Sequence, residues 1–273
     1  MKTIPAISAI DTGKLTIRRD EYLSPAGLSF LGLSPDGTVN IPVNIFRIDF
    51  DGMTVYIDSG LDSRRYPMGP SREMRYFPIA YSARGEFARR SSKTAVLFTH
   101  LHSDHCGNLK QISPDMLIAY ESEIEKAMRP LSRRDGYRKG LFNSMTLTPL
   151  REEDFHRAEL PFPSAQIPGV PGVTALLTPG HTAGCVSYLV DLDEHRLLFA
   201  GDICEGYAGL FYPPYHTADI PDAYIETIVI LRAWLDHDPS LVILPSHEAI
   251  DAHSFDELLE LQRAVFAGME SGH

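Results

Sequence analysis

The chain has 273 residues, a formal net charge of −11, and 44% hydrophobic, 10% aromatic and 22% charged residues. Such a composition can bury a sizeable core and excludes a disordered chain, and the acidic balance repels a phosphate backbone on average, so nucleic acid is not an expected partner. Three cysteines, Cys106, Cys185 and Cys204, are too few and too odd in number for a secreted disulfide framework, which places the chain in a reducing cytoplasm.

At the start, residues 1–10 carry one lysine and a short apolar stretch broken by Pro5, without the features of an export signal. Residues 41–58 alternate apolar and polar side chains about Asp51-Gly52, which predicts a β-hairpin. From 61 to 90 the periodicity is lost and prolines and arginines mix with Tyr66, Met68, Tyr76, Phe77, Tyr81 and Phe87. This reads as a long amphipathic loop, whose aromatics either wall a pocket or pack on one another at the surface. Residues 94–99 and 116–120 read as buried strands, followed by a helix over 122–128 and a second insertion over 130–149.

In the second half, a strand over 173–178 ends at Pro179-Gly180, and strands over 185–191 and 196–200 form a hairpin ending at Gly201-Asp202. Pro221 opens a helix to residue 235, whose apolar run is interrupted by Glu226, Thr227 and Arg232 and is too short to span a bilayer. A last strand over 241–244 precedes Pro245-Ser246-His247, and a helix over 254–266 has Ser254 as N-cap with Glu257 in the capping-box position. Short strands with helices following in both halves predict an α/β domain over 1–273, two sheets packed face to face under helices, with chemistry on loops at one edge.

Those loops carry the informative side chains. His100, His102, Asp104 and His105 follow directly on the 94–99 strand. A lone histidine is more often structural, but four such groups crowded together would each cost on the order of 2–7 kcal/mol if buried unpaired. A shared cation removes that cost, and imidazole nitrogen with carboxylate oxygen suits zinc. Three more strand ends offer a ligand in the same context: His181 after Pro179-Gly180, Asp202 after Gly201, and His247 after Pro245-Ser246. The repetition of strand, turn and ligand sets this group apart from scattered polar residues.

With these motifs the chain resembles the metallo-β-lactamase superfamily of hydrolases from about residue 41 to 247. The resemblance implies an αββα sandwich, two mixed β-sheets flanked by helices. It implies that His100, His102 and His181 hold one metal, that Asp104, His105 and His247 hold a second, and that Asp202 bridges both. Asp58, in Tyr56-Ile57-Asp58-Ser59-Gly60, matches the family's early aspartate, which supports the site from behind. Two zinc ions are the default cofactors, although other divalent transition metals suit the same ligands. Such a pair lowers the pKa of a bridging water toward roughly 7, and the resulting hydroxide would attack a carbonyl carbon. Asp104 would be catalytic as well as ligating, orienting the water and carrying a proton to the leaving group.

The ligands do not choose the substrate. Flavodiiron oxidoreductases generally have glutamate where His102 stands, hydroxyacylglutathione hydrolases carry a helical C-terminal domain, and ribonuclease Z has a basic arm with no counterpart in this sequence. What remains resembles the branch typified by N-acyl homoserine lactone lactonases, which implies hydrolysis of a small lactone or carboxylic ester. The alternatives are a thioester hydrolase, then a phosphodiesterase or nuclease, or a non-catalytic binding protein. Where those lactonases often place a tyrosine three positions after the bridging aspartate, this chain has Glu205, which could meet a polar substrate group. Tyr207 is the candidate to supply a catalytic phenol instead, ahead of Tyr212 and Tyr215, and His216 is a candidate pocket residue. Cys106 and Cys185 read as packing groups, and His156, His195, His237, His253 and His273 as surface residues. No membrane partner is expected, and a homodimer is compatible with the sequence.

Overall fold

The computed structural model describes residues 5–61, 75–78, 87, 91–130, 135–142, 145–157, 159–250 and 255–271. Seven strands, β1 (Ala6–Arg18), β2 (Thr38–Phe50), β3 (Met53–Ile57), β4 (Arg75–Pro78), β5 (Lys93–Leu97), β6 (Met116–Tyr120) and β7 (Thr148–Leu150), form one sheet in the order β4-β1-β2-β3-β5-β6-β7. Five more, β8 (Ser164–Gln166), β9 (Thr174–Leu177), β10 (Val186–Asp191), β11 (Arg196–Gly201) and β12 (Leu241–Pro245), form a second in the order β12-β11-β10-β9-β8. Both are mixed: β3, β5, β6 and β7 run parallel beside antiparallel β1, β2 and β4, while β12 is the parallel member of the second sheet.

Alternation along the central strands explains the layering. In β3, Val55 and Ile57 point into a core shared with Val186, Tyr188, Phe199 and Leu244 of the other sheet, while Tyr56 between them faces the opposite way. Phe46 and Phe199 meet across the interface with ring centroids 5.1 Å apart. On the outer face of the first sheet, Val96 and Leu117 pack with Ile112 of α3 (Leu109–Ile112) and Ala127 of α4 (Glu121–Met128), reading α1 (Arg19–Tyr22) and α2 (Pro25–Phe30) as the two short helices that precede them in the chain. The outer face of the second sheet is covered by α5 (Pro221–His237), whose buried Tyr224, Ile228, Leu231 and Trp234 recur at the three-to-four-residue spacing of one helix face. Each such side chain removed from water contributes about 1.5–3 kcal/mol. α6 (Phe255–Ser271) covers the β12 edge, where Gln262 accepts from the Ile243 N–H at 2.8 Å and donates to the Leu241 carbonyl at 3.0 Å.

The Asp51-Gly52 hairpin forms as predicted, with Gly52 at φ +77° and Phe50 opposite Met53. Three expectations need amendment. The chain opens with a thirteen-residue strand, β1, which the sequence reading did not foresee, and β1 pairs β2 from Ala6↔Asp49 to Arg18↔Thr38. The stretch 61–90 is not wholly loop, because β4 lies within it against β1 and Phe87 is buried; Tyr66, Met68 and Tyr81 fall outside the described residues. The 130–149 insertion includes a short 3-10 turn, Lys139–Leu141, and the start of β7. Ser254, His253 and His273 also lie outside the described residues.

Candidate metal centre

Parallel strands expose their carboxyl ends along one rim, and there the loops after β5, β9, β11 and β12 converge. The strand, glycine and ligand pattern has a steric cause at two of these turns. Gly201 takes φ +58°, and a Cβ on it would fall 2.7 Å from Cβ of Thr99. Gly180 takes φ +153°, and a Cβ there would collide with the Tyr224 backbone. Each glycine lets the chain pass close to a neighbouring element and delivers the next residue, Asp202 or His181, to the rim.

All seven predicted side chains meet. Nδ1 of His102 lies 3.1 Å from Nε2 of His100 and 3.1 Å from Nε2 of His181. Beside this trio, Asp104, His105, Asp202 and His247 form a second group, and within each group the candidate ligand atoms lie within 4.8 Å of one another. Asp202 faces both. Its Oδ2 is 3.7 Å from Nε2 of His100 and 3.5 Å from Nε2 of His181, whereas its Oδ1 is 3.3 Å from Nε2 of both His105 and His247. Oδ2 of Asp104 stands 3.5 Å from Nε2 of His105 and 3.7 Å from that of His247.

The ring nitrogens on the far side fix which face of each imidazole looks inward. Thr99 spends its hydroxyl proton on Oδ2 of Asp58 at 2.9 Å, so its oxygen accepts from Nδ1 of His100 at 3.1 Å. His105 donates from Nδ1 to Asp58 at 2.9 Å, and His247 from Nδ1 to the Pro42 carbonyl at 2.7 Å. Three Nε2 atoms are thereby aimed into the site, the arrangement in which a metal ligand is held by its other N–H. Asp58 does this from a left-handed backbone, φ +62°, which is unusual for a residue with a side chain and is tied down by the Thr99 N–H at 2.8 Å. Replacing it by asparagine, which keeps the shape and loses the charge, is expected to weaken metal affinity about 10–100-fold, read by chelator competition. Unchanged affinity would show that Asp58 is only a turn residue.

The centre is charged and largely buried. His100 and His105 are 0% and 1% exposed, Asp202 5%. Burial holds His100 well below the ordinary histidine range and, partly offset by Asp202, brings His181 down to about 4. Burial also opposes charge on His105 and His247, but Asp202 and Asp104 outweigh it, holding His105 well above its usual value and His247 up at about 9. Asp202 is the mirror case: burial disfavours its charge, and His105, His247 and His100 pull it well below the carboxylate range. Nε2 of His105 and Oδ1 of Asp202 are nonetheless buried without a hydrogen-bond partner among the described residues. Two orphaned atoms facing each other, with three nitrogens converging on a point beside them, fit divalent cations.

A matching family model, described as "Metallo-beta-lactamase superfamily", covers residues 40–261. The chain belongs to the metallo-beta-lactamase superfamily. Its two sheets and flanking helices are that superfamily's fold, and its His/Asp cluster makes it a metal-dependent hydrolase. A comparison with curated protein sequences finds no match. Among solved structures, a quorum-quenching N-acyl homoserine lactone hydrolase superposes with a TM-score of 0.71 at 16% identity, over 94% of this chain and 98% of the other. An N-acyl homoserine lactone hydrolase with N-hexanoyl-L-homoserine at its catalytic metal centre gives 0.70 at 17%, over 91% and 94%. AidC, a dizinc quorum-quenching lactonase, gives 0.60 at 12%, over 91% and 92%. At such identities the likeness is one of fold.

Within this metallo-beta-lactamase site, a cleft of about 210 Å³ opens onto His102, Asp104, His181, Asp202 and His247. Leu15 and Ile17 of β1 and Ile41 of β2 form an apolar wall, so the unforeseen first strand shapes the pocket. Tyr207 is not there. It is 2% exposed, donates its hydroxyl to the Ile243 carbonyl at 3.1 Å and packs edge-on against Phe266, because the 3-10 turn Tyr207–Leu210 directs it under the second sheet. Nor do Tyr212, Tyr215 or His216 line the cleft; Tyr212 packs against Phe30, and Tyr215 and His216 are exposed.

Two residues passed over in the sequence brace the ligand loop. Glu123, 1% exposed, accepts from the Leu101 N–H at 3.1 Å and the Tyr137 hydroxyl at 3.0 Å, and the Tyr137 ring lies 4.8 Å from that of His102. Their signal is purely tertiary, since no local pattern links α4, residue 137 and the loop after β5.

Proposed function

We propose that this chain, acting as one catalytic domain over residues 1–273, is a dinuclear hydrolase that opens a small lactone or carboxylic ester. The observation that carries the reading is the division of Asp202, one carboxylate oxygen toward His100 and His181 and the other toward His105 and His247. A carboxylate so placed suits a bridging ligand between two ions, His100, His102 and His181 completing one set and Asp104, His105 and His247 the other. Nitrogen and oxygen donors without sulfur support zinc, with other divalent transition metals as competitors. The lactone chemistry named for two of the structural neighbours, and the dizinc centre named for the third, support the same assignment.

Bound in these sets, the ions would polarise the carbonyl and bring the pKa of the attacking water toward about 7. The protein's own groups do the rest. The bonds from Nδ1 of His100, His105 and His247 hold the rings so that no reorientation is needed during reaction. Asp104, which lines the cleft, would take a proton from water as its oxygen bonds to the carbonyl carbon, and return it to the leaving alkoxide as the C–O bond breaks. Leu15, Ile17 and Ile41 exclude water and seat a small apolar portion of substrate.

All three cysteines are buried free thiols, in keeping with a reducing cytoplasm, and no helix among the described residues is long and apolar enough to cross a membrane. The deciding experiment is turnover by zinc-loaded protein on a panel of lactones, aryl esters, thioesters and phosphodiesters, with lactone or ester cleavage expected. Inertness on the whole panel, with a lactam still raising the melting temperature, would make it a binding protein. Tyr207→Phe should leave kcat/KM within about twofold while costing about 1 kcal/mol of stability through the lost bond to Ile243. A large loss of kcat would restore Tyr207 to the active site.

A further inference from the structure

Beyond its metal-facing carboxylates the cleft carries three more, Glu21, Asp135 and Glu205. Glu205 is the unusual one. It is 6% exposed, and its Oε2 has no hydrogen-bond partner among the described residues. Among the described residues, the basic group paired with it is Nδ1 of His181, 3.8 Å from Oε1 and too far for a hydrogen bond. A buried polar atom without a partner is costly, and Glu205 lines the cleft, where a ligand can bring the complementary group.

Position narrows that group. An oxygen of Glu205 lies within 4.8 Å of candidate ligand atoms of His181 and Asp202. Whatever Glu205 grips therefore sits beside the scissile carbonyl, and bonds of about 1.5 Å put a nitrogen on the α-carbon within such a span. Glu21 and Asp135 line the same cleft. We propose that the substrate bears a protonated amino group α to its carbonyl, an α-ammonium lactone or ester, and that Glu205 receives that ammonium.

The proposal rests on the hydrolase reading, deepening it to a substrate class, and the test separates the two. A five-membered α-amino lactone, its N-acyl derivative and its desamino parent are compared in zinc-loaded wild type and in Glu205→Gln and Glu205→Ala, with metal content measured for each. Wild type should favour the α-amino lactone over the desamino parent by about tenfold or more in kcat/KM, the scale of a charge-assisted hydrogen bond. In Glu205→Gln that ratio should fall toward one, with zinc content unchanged. By calorimetry, the non-hydrolysable α-amino lactam should bind wild type about tenfold tighter than the plain lactam, and this gap should vanish in the variant. Lactone turnover with equal preference in wild type and variant overturns the ammonium proposal and leaves the hydrolase reading intact. Glu205-dependent binding of the amino lactam without turnover sinks the hydrolase reading alone. Loss of zinc in Glu205→Gln would make Glu205 a metal ligand and also overturn the proposal.

Discussion

Asp202→Ala should lower kcat/KM for the best lactone or ester by about 10³-fold or more and leave less than the full complement of metal bound. Among the described residues, Asp202 is the side chain with one oxygen toward each histidine group, and it is buried at 5% exposed. Removing it deletes a ligand from both proposed ions and the negative charge that offsets their repulsion. Every 1.36 kcal/mol of lost transition-state stabilisation is about tenfold in rate, and losing metal-supplied polarisation is worth several such units. Metal analysis and kinetics on the same preparation make the check. A variant that keeps two equivalents of zinc and loses less than tenfold in rate would refute the bridging role.

Metal removal should be nearly as severe, abolishing turnover and lowering the melting temperature by about 10 °C or more. An ion present at a thousandfold its Kd stabilises by about 4 kcal/mol, and a chain of this size shifts by roughly 2–4 °C per kcal/mol. The effect should depend on pH with a definite sign. In metal-free protein His247 is held up at about 9 by Asp202, so its contribution is full below the ordinary histidine pKa and fades as pH rises through 9. His105, held well above its usual value by the same carboxylates, acts in the same direction. Protons and metal compete for the same nitrogens, so the metal-bound form gains over this window. The gap in melting temperature between loaded and stripped protein should widen from pH 6.5 to 9. A gap that narrows over that range would mean that His105 and His247 do not release protons to a metal.

Loss of the Asp58 charge should act more weakly, because among the described residues its carboxylate bonds one proposed ligand, His105, together with Thr99. It nonetheless joins the two groups from outside, reaching His105 directly and His100 through the Thr99 hydroxyl. Its left-handed backbone allows one carboxylate to serve both.

The sequence by itself determined the parts whose signal is local: the Asp51-Gly52 hairpin, the buried strands, the Pro221 helix and the strand-to-ligand turns. In each case the cause lies within a few residues, in a period-two apolar pattern, a proline at a helix start, or a glycine that frees the turn before His181 and Asp202. Tertiary structure decided what depends on partners far along the chain. It seated Tyr207 under the second sheet, where its hydroxyl reaches Ile243, and it brought β1 across to wall the cleft with Leu15 and Ile17. It also set Glu123 behind His102 and left Glu205 buried beside the ligands, its Oε2 without a hydrogen-bond partner among the described residues. Local propensity fixes where a side chain leaves the backbone, but which distant surface it then meets is set by the packing of two sheets, and no spacing in the sequence records that distance.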